Sequence, residues 1–502
     1  MRVIESEVGN IRRKVFKSVA ELAFEGGDYS RIEDLPYQLV PGEIAKYRES
    51  IFLERAIVGE RLRLAIGLPL RSMAEHKAIA DGIMESVENE KYYDPPLINI
   101  IKFACHKCQD RFFITNGCQG CLARPCVESC PKDAIIIGDD RRAYIDQEKC
   151  IKCGRCHKVC SYDAIVKQQR PCAEACGVDA IGSDEQGRAI IDQNKCVSCG
   201  MCIVNCPFGA ISDKGQIFQM VHALKNGEKL IAIVAPAFVG QFGHAFGAEK
   251  VKGAIKSLGF YDVEEVAVGA DLCAIQEARE FVRDVPDEIP FMATSCCPAW
   301  AVMAKRDYPE YAHCVSMALT PMVLTARMVK KKHPDAKIAF IGPCSAKKLE
   351  ARRSAIRSDV DFVLTFEEMM GVFEAKCVDF EQVESDKPFT ESSASGRGFA
   401  VSGGVALAVT QAVKRIDPDR EVQVFCAEGL RECGDMMNRA SKGEFDGYLL
   451  EGMACPGGCV AGTGTRIAPK KTEVLVNMYK KTAALREASD SEHKDMMFIL
   501  ED

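Results

Sequence analysis

From about residue 225 onward, short uninterrupted apolar runs alternate with longer stretches in which apolar residues recur every three or four positions. The runs Leu230 to Ala235 and Val263 to Val268 predict buried strands, and Ala248 to Leu258 and Ala274 to Val285 predict helices. Further strand-like runs cover Ile289 to Ala293, Lys337 to Ile341 and Gly447 to Met453. Such alternation argues for parallel sheets with crossover helices, so residues 223–502 are expected to form an α/β domain. Residues 1–95 read as helical. Ile51 to Ile66 carries apolar residues at helical spacing, and Gly26-Gly27-Asp28 and Leu35-Pro36-Tyr37 break the pattern. This segment is expected to act as a structural cap or a docking surface, and Asp94-Pro95-Pro96 marks its end. Beyond residue 466 the tail is polar and helical, with Lys470-Lys471 and Lys480-Lys481 on a solvated face.

The formal charge of -7 gives neither a nucleic-acid footprint nor a polybasic membrane patch. Leu230 to Gly240, the longest apolar run, is too short and broken to span a bilayer, and the opening Met1 to Gly9 lacks an apolar signal core. A cytoplasmic protein is expected. In that reducing setting the 26 cysteines argue for metal ligation rather than disulfides.

Sixteen of them lie between Cys105 and Cys206, where the chain contains an internal duplication. Arg124-Pro-Cys126-x3-Cys130 and Cys150-x2-Cys153-x2-Cys156-x3-Cys160 recur 46 residues later as Arg170-Pro-Cys172-x3-Cys176 and Cys196-x2-Cys199-x2-Cys202-x3-Cys206. The second run has the bacterial ferredoxin spacing, in which three cysteines hold one cluster and the fourth reaches the cluster of the paired half. Residues 96–222 are therefore expected to form an α+β ferredoxin-like domain. The crossover rule joins Cys130 to Cys150, Cys153 and Cys156, and Cys176 to Cys196, Cys199 and Cys202. Cys118-x2-Cys121-x4-Cys126 resembles the half-motif of electron-transfer subunits and is completed by Cys160, leaving Cys105, Cys108, Cys172 and Cys206 for a fourth cluster. A competing grouping puts zinc on Cys105, Cys108, Cys118 and Cys121 and a cluster on Cys126, Cys160, Cys172 and Cys206. His106 and His157, beside these cysteines, are expected to face solvent or to bond a cluster sulfur.

Three of the later strand-like runs lead into cysteine. They end in Thr294-Ser-Cys296-Cys297-Pro298-Ala-Trp300, in Gly342-Pro343-Cys344-Ser-Ala-Lys347-Lys348 and in Ala454-Cys455-Pro456-Gly-Gly-Cys459. Parallel sheets bind ligands beyond the carboxyl ends of their strands, so Cys297, Cys344, Cys455 and Cys459 are expected to meet, and four thiolates suit a cubane iron–sulfur cluster. Pro298, Pro343 and Pro456 stiffen the ligand loops. Cys296 remains as a spare thiol beside the site. Cys273, Cys314, Cys377, Cys426 and Cys433 have no ligand spacing and are expected to be inert and buried. Gly396 to Gly404 lacks Gly-Lys-Ser/Thr and is not expected to bind a nucleotide.

In order and spacing, over roughly residues 225–470, these three segments resemble the signature motifs of the [FeFe]-hydrogenases; the chain resembles a divergent monomeric subgroup with a ferredoxin-like N-terminal domain. The resemblance implies two parallel-sheet lobes around an H-cluster. In that group a [4Fe-4S] cubane on Cys297, Cys344, Cys455 and Cys459 is bridged through Cys459 to a diiron subsite carrying CO, cyanide and azadithiolate. It implies that Cys296 relays protons, with Glu280, Ser316 and Glu277 following outward in that order. Lys347 is placed to donate to an iron-bound cyanide, and Met453 and Pro236 to pack on the subsite. Lys348 reads as a surface residue.

The implied activity is reversible interconversion of protons and electrons with dihydrogen. Electrons travel through about four accessory [4Fe-4S] clusters to or from a ferredoxin-type carrier, and maturation proteins supply the cofactor. The alternatives are a hydrogen sensor with slow turnover and a non-catalytic iron–sulfur assembly carrier. No signalling module is evident, and Cys296 together with both glutamates speaks against the carrier. Departures from the family pattern at Ala237, Ala299, Gly342 and Gly462-Thr-Gly-Thr-Arg466 bear on contacts around the subsite rather than on its ligands.

Overall fold

The computed structural model describes residues 6–88, 95–243 and 246–496; Asp94 of the expected boundary and Met1 to Glu5 of the opening stretch lie outside them. A four-stranded parallel sheet runs in the order Asp262–Glu265, Leu230–Val234, Lys337–Gly342, Phe362–Thr365. Leu230–Val234 is buried throughout, as is Lys337–Gly342 after its first residue. Uninterrupted apolar strands of this kind belong in a sheet packed with helices, here including Pro321–Lys332 and Phe366–Ala375. A second parallel sheet holds Met292–Ala293, Tyr448–Met453 and Gln423–Glu428 in that order.

Two expectations shift. The run from Ile289 yields only Met292–Ala293 as strand, because Pro290 has no N–H to give to a ladder. The strand expected to reach Val268 stops at Glu265, and the helix expected from Ala274 begins at Ala267 and runs to Asp284. Ala267 to Ala270 is apolar at every position and suits either state. Packing against Pro321–Lys332 and Gly404–Ile416 decides for helix. Gly269 marks the closest approach, since a Cβ there would strike the Pro321 carbonyl and Thr325.

The N-terminal segment packs on both other regions. Val15, Phe16, Val19 and Leu22 of the helix Glu7–Glu25 join the same core as Leu230–Val234. The helix Ile51–Ile66 is mostly buried, and its Arg61 donates to the Gly209 carbonyl (2.6 Å) next to the Cys206 loop.

In the cysteine-rich region each repeat folds as a short hairpin, Ile135–Ile137 with Ala143–Ile145 and Ile181–Ser183 with Ala189–Ile191. Each repeat adds one strand paired with a leading strand from ahead of the duplication. Ile165–Gln168 pairs with Arg111–Ile114, and Ile211–Asp213 pairs with Ile98–Ile100. A Cys-x2-Cys pair follows each leading strand, Cys118 and Cys121 in one case and Cys105 and Cys108 in the other. No described helix is long and apolar enough to cross a membrane.

Candidate active site and cluster sites

Beyond the carboxyl ends of the strands lies a cavity of about 90 Å³. Leu230–Val234 leads to Pro236, Lys337–Gly342 to Cys344, Met292–Ala293 to Cys296 and Cys297, and Tyr448–Met453 supplies Met453 and leads to Cys455 and Cys459. All of these residues line the cavity, and so does Lys347. The glycine-rich stretch finds its role here. Phe399 and Ala400 line the wall, the Val460 N–H donates to the Ala400 carbonyl (3.0 Å), and the Ser402 N–H donates to the Gly457 carbonyl (3.3 Å). Buried Glu451 anchors the stretch by accepting from the N–H groups of Gly403 and Ala406, both at 2.7 Å.

The donor set fits a cubane. Burial pushes the Cys344 thiol up to about 11 and the Cys459 thiol up to about 12, and it holds Cys455 well above the ordinary thiol range. Thiols so placed ionise only when a cation is supplied, which iron does. Burial also opposes the Lys347 charge, but Glu350 beside it, 2.7 Å away, holds the ammonium above its usual range. The same ammonium donates to the Cys296 carbonyl (3.4 Å), fixing a cation at the rim of a site suited to an anionic group. Glu350, buried and one helical turn from Lys347, had no sequence signal beyond that spacing.

The relay residues are brought together, but in the reverse order. Glu277 is wholly buried and accepts from the Ser295 N–H (2.8 Å). After burial itself, its carboxylate is the largest influence raising the Cys296 thiol, so Glu277 is the inner group. The Ser295 hydroxyl lies 3.1 Å from Glu277 Oε1 and donates to the Ala318 carbonyl (2.8 Å). The Ala318 N–H donates to Ser316 Oγ (3.0 Å), and Ser316 Oγ–H donates to Glu280 Oε2 (2.6 Å). Glu280 is half-buried and also accepts from the N–H of exposed Met317 (3.2 Å), so it is the outer end. The i, i+3 spacing showed that the two glutamates share a helix face, not which end of it points inward. Ser295, the added link, stands directly before Cys296 in the sequence.

Lys348 corrects a second expectation. It is fully buried, with its ammonium 2.8 Å from Asp213 Oδ2 and 2.9 Å from Glu368 Oε1, and it donates to the Lys214 carbonyl (2.9 Å). Two carboxylates from distant segments make the burial tolerable, and neither adjoins it in sequence. Among the cysteines without ligand spacing, Cys273, Cys314 and Cys433 are buried, but Cys377 and Cys426 are exposed, the first past a helix end and the second on the sheet-edge strand Gln423–Glu428. The departing residues Ala237, Ala299 and Gly462 line the cavity. The Gly464 N–H holds the Pro343 carbonyl (2.8 Å), so the divergent segment braces the Cys344 loop.

In the ferredoxin-like region Cys105, Cys108, Cys172 and Cys206 line one small cavity. Cys126 lies beside Cys121 and Cys160, and Cys118 packs on the same small core as Cys126, Cys130, Cys156 and Cys160. Cys156 lies beside Cys150, Cys153 and Cys130, and Cys202 beside Cys199, Cys196 and Cys176. Cys105 and Cys108 thus share a cavity with Cys172 and Cys206 and not with Cys118 and Cys121, contrary to the zinc grouping. Among the described residues no three His, Cys, Asp or Glu side chains are set to hold a single ion. Matching N–H groups point at sulfur in both repeats, from Ala134 to Cys130 and from Ala180 to Cys176, each at 3.3 Å. Exposed His106 stacks on Phe208, and His157 bonds the Ile165 carbonyl through Nδ1 (2.6 Å) rather than a sulfur. Cys199 also lines this cavity, so its group directly adjoins Cys297, Cys344, Cys455 and Cys459.

The family described as "Iron only hydrogenase large subunit, C-terminal domain" matches residues 228–463, and a 4Fe-4S binding domain matches twice, at 143–166 and 189–212. The chain is 28% identical over 304 residues to the periplasmic [Fe] hydrogenase large subunit of Nitratidesulfovibrio vulgaris, covering 50% of this chain and 72% of that one. It is 26% identical over 275 residues to cytosolic iron-sulfur assembly component 3 of Bos taurus, covering 44% and 58%. A solved [FeFe]-hydrogenase, described for the oxygen inactivation of its H cluster, aligns with 54% of this chain and 89% of its own at a TM-score of 0.47 and 21% identity. Iron hydrogenase 1 of Clostridium pasteurianum is 30% identical over 436 residues, 75% of each chain. With that match spanning three quarters of both proteins, the chain belongs to the iron-only hydrogenase family.

Proposed function

We propose that the chain interconverts protons and electrons with dihydrogen, in a catalytic domain over residues 223–502 fed by a ferredoxin-like domain over 96–222 and capped by 1–95. The observation that carries this reading is a pair of bonded groups, Glu277 with Ser295 and Glu280 with Ser316, set between Cys296 at the four-thiol cavity and exposed Met317, with the backbone of Ala318 between the two pairs. A cluster carrier has no use for a proton path, whereas a catalyst of proton reduction requires one.

When bound, the H-cluster supplies the metal site at which dihydrogen is formed or split. Cys297, Cys344, Cys455 and Cys459 hold its cubane, Lys347 sets a positive charge beside it, and Pro236 and Met453 wall the cavity. Burial pushes Glu277 up to about 8, so it is protonated at neutral pH. Its Oε2 has no partner among the described atoms, leaving that proton available to exchange with Cys296. Ser316, whose hydroxyl donates to Glu280, is the hydroxyl step on the outer side. About four accessory [4Fe-4S] clusters would supply the electron route, with Cys176, Cys196, Cys199 and Cys202 holding the one beside the cavity. Dihydrogen, protons and an electron-carrier protein are the partners, with maturation proteins to insert the diiron subsite. The many thiolate ligands suit a reducing compartment, the cytoplasm in this reading.

Similarity to an iron–sulfur assembly component supports a second reading as a carrier without the diiron subsite. Infrared spectra of anaerobically purified protein coexpressed with maturation proteins separate the two. Bands from iron-bound CO and cyanide are expected. Their absence, with cubane iron present and a known hydrogenase maturing in the same host, overturns the hydrogenase reading in favour of the carrier.

A further inference from the structure

We propose that the face of the outer ferredoxin-like repeat formed by Ile151, Lys152, Cys153 and Arg155 docks a small acidic one-electron carrier protein. This rests on the hydrogenase reading above and adds the place and the chemistry of the electron partner.

The duplication supplies an internal control. The loops Cys150 to Cys156 and Cys196 to Cys202 share their spacing and their backbone, with φ of 58° at Lys152 and 54° at Ser198, and 73° at Gly154 and 77° at Gly200. The inner loop lies against the catalytic domain. Val197 is buried in a core with Phe291 and Trp300, and Arg306 donates to the carbonyls of Asn194 (3.2 Å) and Lys195 (2.5 Å). A Cβ on Gly200 would lie 2.9 Å from Thr463 Oγ1. This face carries Cys199 into the active-site cavity, so it is the face through which an electron leaves the inner repeat.

The same face of the outer repeat is uncovered. Ile151, the counterpart of Val197, is 56% exposed against 1%. Cys153, the counterpart of Cys199, is exposed. Where the inner loop has Ser198, Met201 and Val204, the outer has Lys152, Arg155 and Lys158, all exposed. From Cys150 to Cys160 there is no carboxylate, and from Cys196 to Cys206 no charged residue at all. An apolar loop suits a permanent seat. An exposed isoleucine followed by three exposed cations, with no carboxylate in the segment, instead suits a small, transient interface with an acidic protein, where charge steers the encounter. On docking, the reduced carrier loses one electron and the cluster of Cys130, Cys150, Cys153 and Cys156 gains it.

The test uses the cluster-loaded full chain and a reduced, acidic two-cluster bacterial ferredoxin, followed by stopped-flow at low ionic strength. Hydrogen evolution driven by reduced methyl viologen, a small cationic dye, is measured in parallel. Lys152→Glu with Arg155→Glu should lower the second-order rate of ferredoxin oxidation about tenfold and remove its salt dependence, leaving the viologen-driven rate unchanged. The neutral pair Lys152→Gln with Arg155→Gln should fall between. Ferredoxin oxidation at the wild-type rate in both double variants overturns the docking face. Steered oxidation of ferredoxin by a wild-type chain that evolves no hydrogen with viologen supports the face and counts against the hydrogenase reading.

Discussion

Cys150, Cys153 and Cys156 follow one another within a single loop, whereas Cys297, Cys344, Cys455 and Cys459 arrive from three strand ends far apart in the chain. The surroundings differ as much as the ligands. Around the accessory cysteines the strands are three or four residues long. That region also holds eight of the nine described non-glycine residues with positive φ, Cys377 being the ninth. A backbone bent this tightly around so few apolar side chains draws its order from the clusters it wraps. Cys297, Cys344, Cys455 and Cys459 instead hang from buried strands and helices that form a core of their own. The contrast implies that one region takes its fold from bound iron and that the other is preformed to receive it.

Removing iron is the severest test of that contrast. Anaerobic chelation should abolish hydrogen-exchange protection in Ile135–Ile137 and Ile181–Ser183 while Leu230–Val234 and Lys337–Gly342 stay protected. Equal loss in both regions would break the comparison.

Lys348→Met sharpens it from the other side. It leaves Asp213 and Glu368 buried without their cation, and Asp213 belongs to the ferredoxin-like strand beside the catalytic domain. A loss of about 3–5 kcal/mol is expected, read from the denaturant midpoint of the iron-loaded protein. A change within error would mean the seam between the two regions is held elsewhere.

A third effect is a slope. Burial raises Glu277 from 4.5 to about 8. A carboxyl raised on folding contributes stability that is complete below its unfolded value and is lost as pH rises through its folded one. Between pH 4.5 and about 8 it therefore subtracts stability at up to about 1.4 kcal/mol per pH unit. Glu277→Gln, which keeps an acceptor for the Ser295 N–H, should flatten the measured slope over that window, and an unchanged slope would place Glu277 in water.

Legibility follows the same division. The ferredoxin spacing within the 46-residue repeat joins Cys130 to Cys150, Cys153 and Cys156, and Cys176 to Cys196, Cys199 and Cys202, because cysteine spacing within a loop is itself geometry, whereas spacing alone left Cys105, Cys108, Cys118 and Cys121 open to a zinc alternative. The leading strands Ile98–Ile100 and Arg111–Ile114 were not anticipated, being too short to show a period, although the Cys-x2-Cys after each was evident. In the catalytic domain the strand ends and their cysteines were readable as local patterns, and the resemblance supplied the roles. What stayed hidden depends on tertiary partners. Lys348 has the polarity of a surface residue until Asp213 and Glu368 are brought to it. Glu277 and Glu280 look alike until packing buries one and leaves the other near Met317. Ala267 to Ala270 is equally apolar as strand or helix.

The central claim is that Cys296 stands at the inner end of a working proton path. Its most direct test is the viologen-driven rate of hydrogen evolution by Cys296→Ala beside the wild type, at equal iron content and equal CO and cyanide infrared bands. A loss of about 10²–10⁴-fold is expected for removing a positioned proton donor. A variant that evolves hydrogen at the wild-type rate would contradict the account.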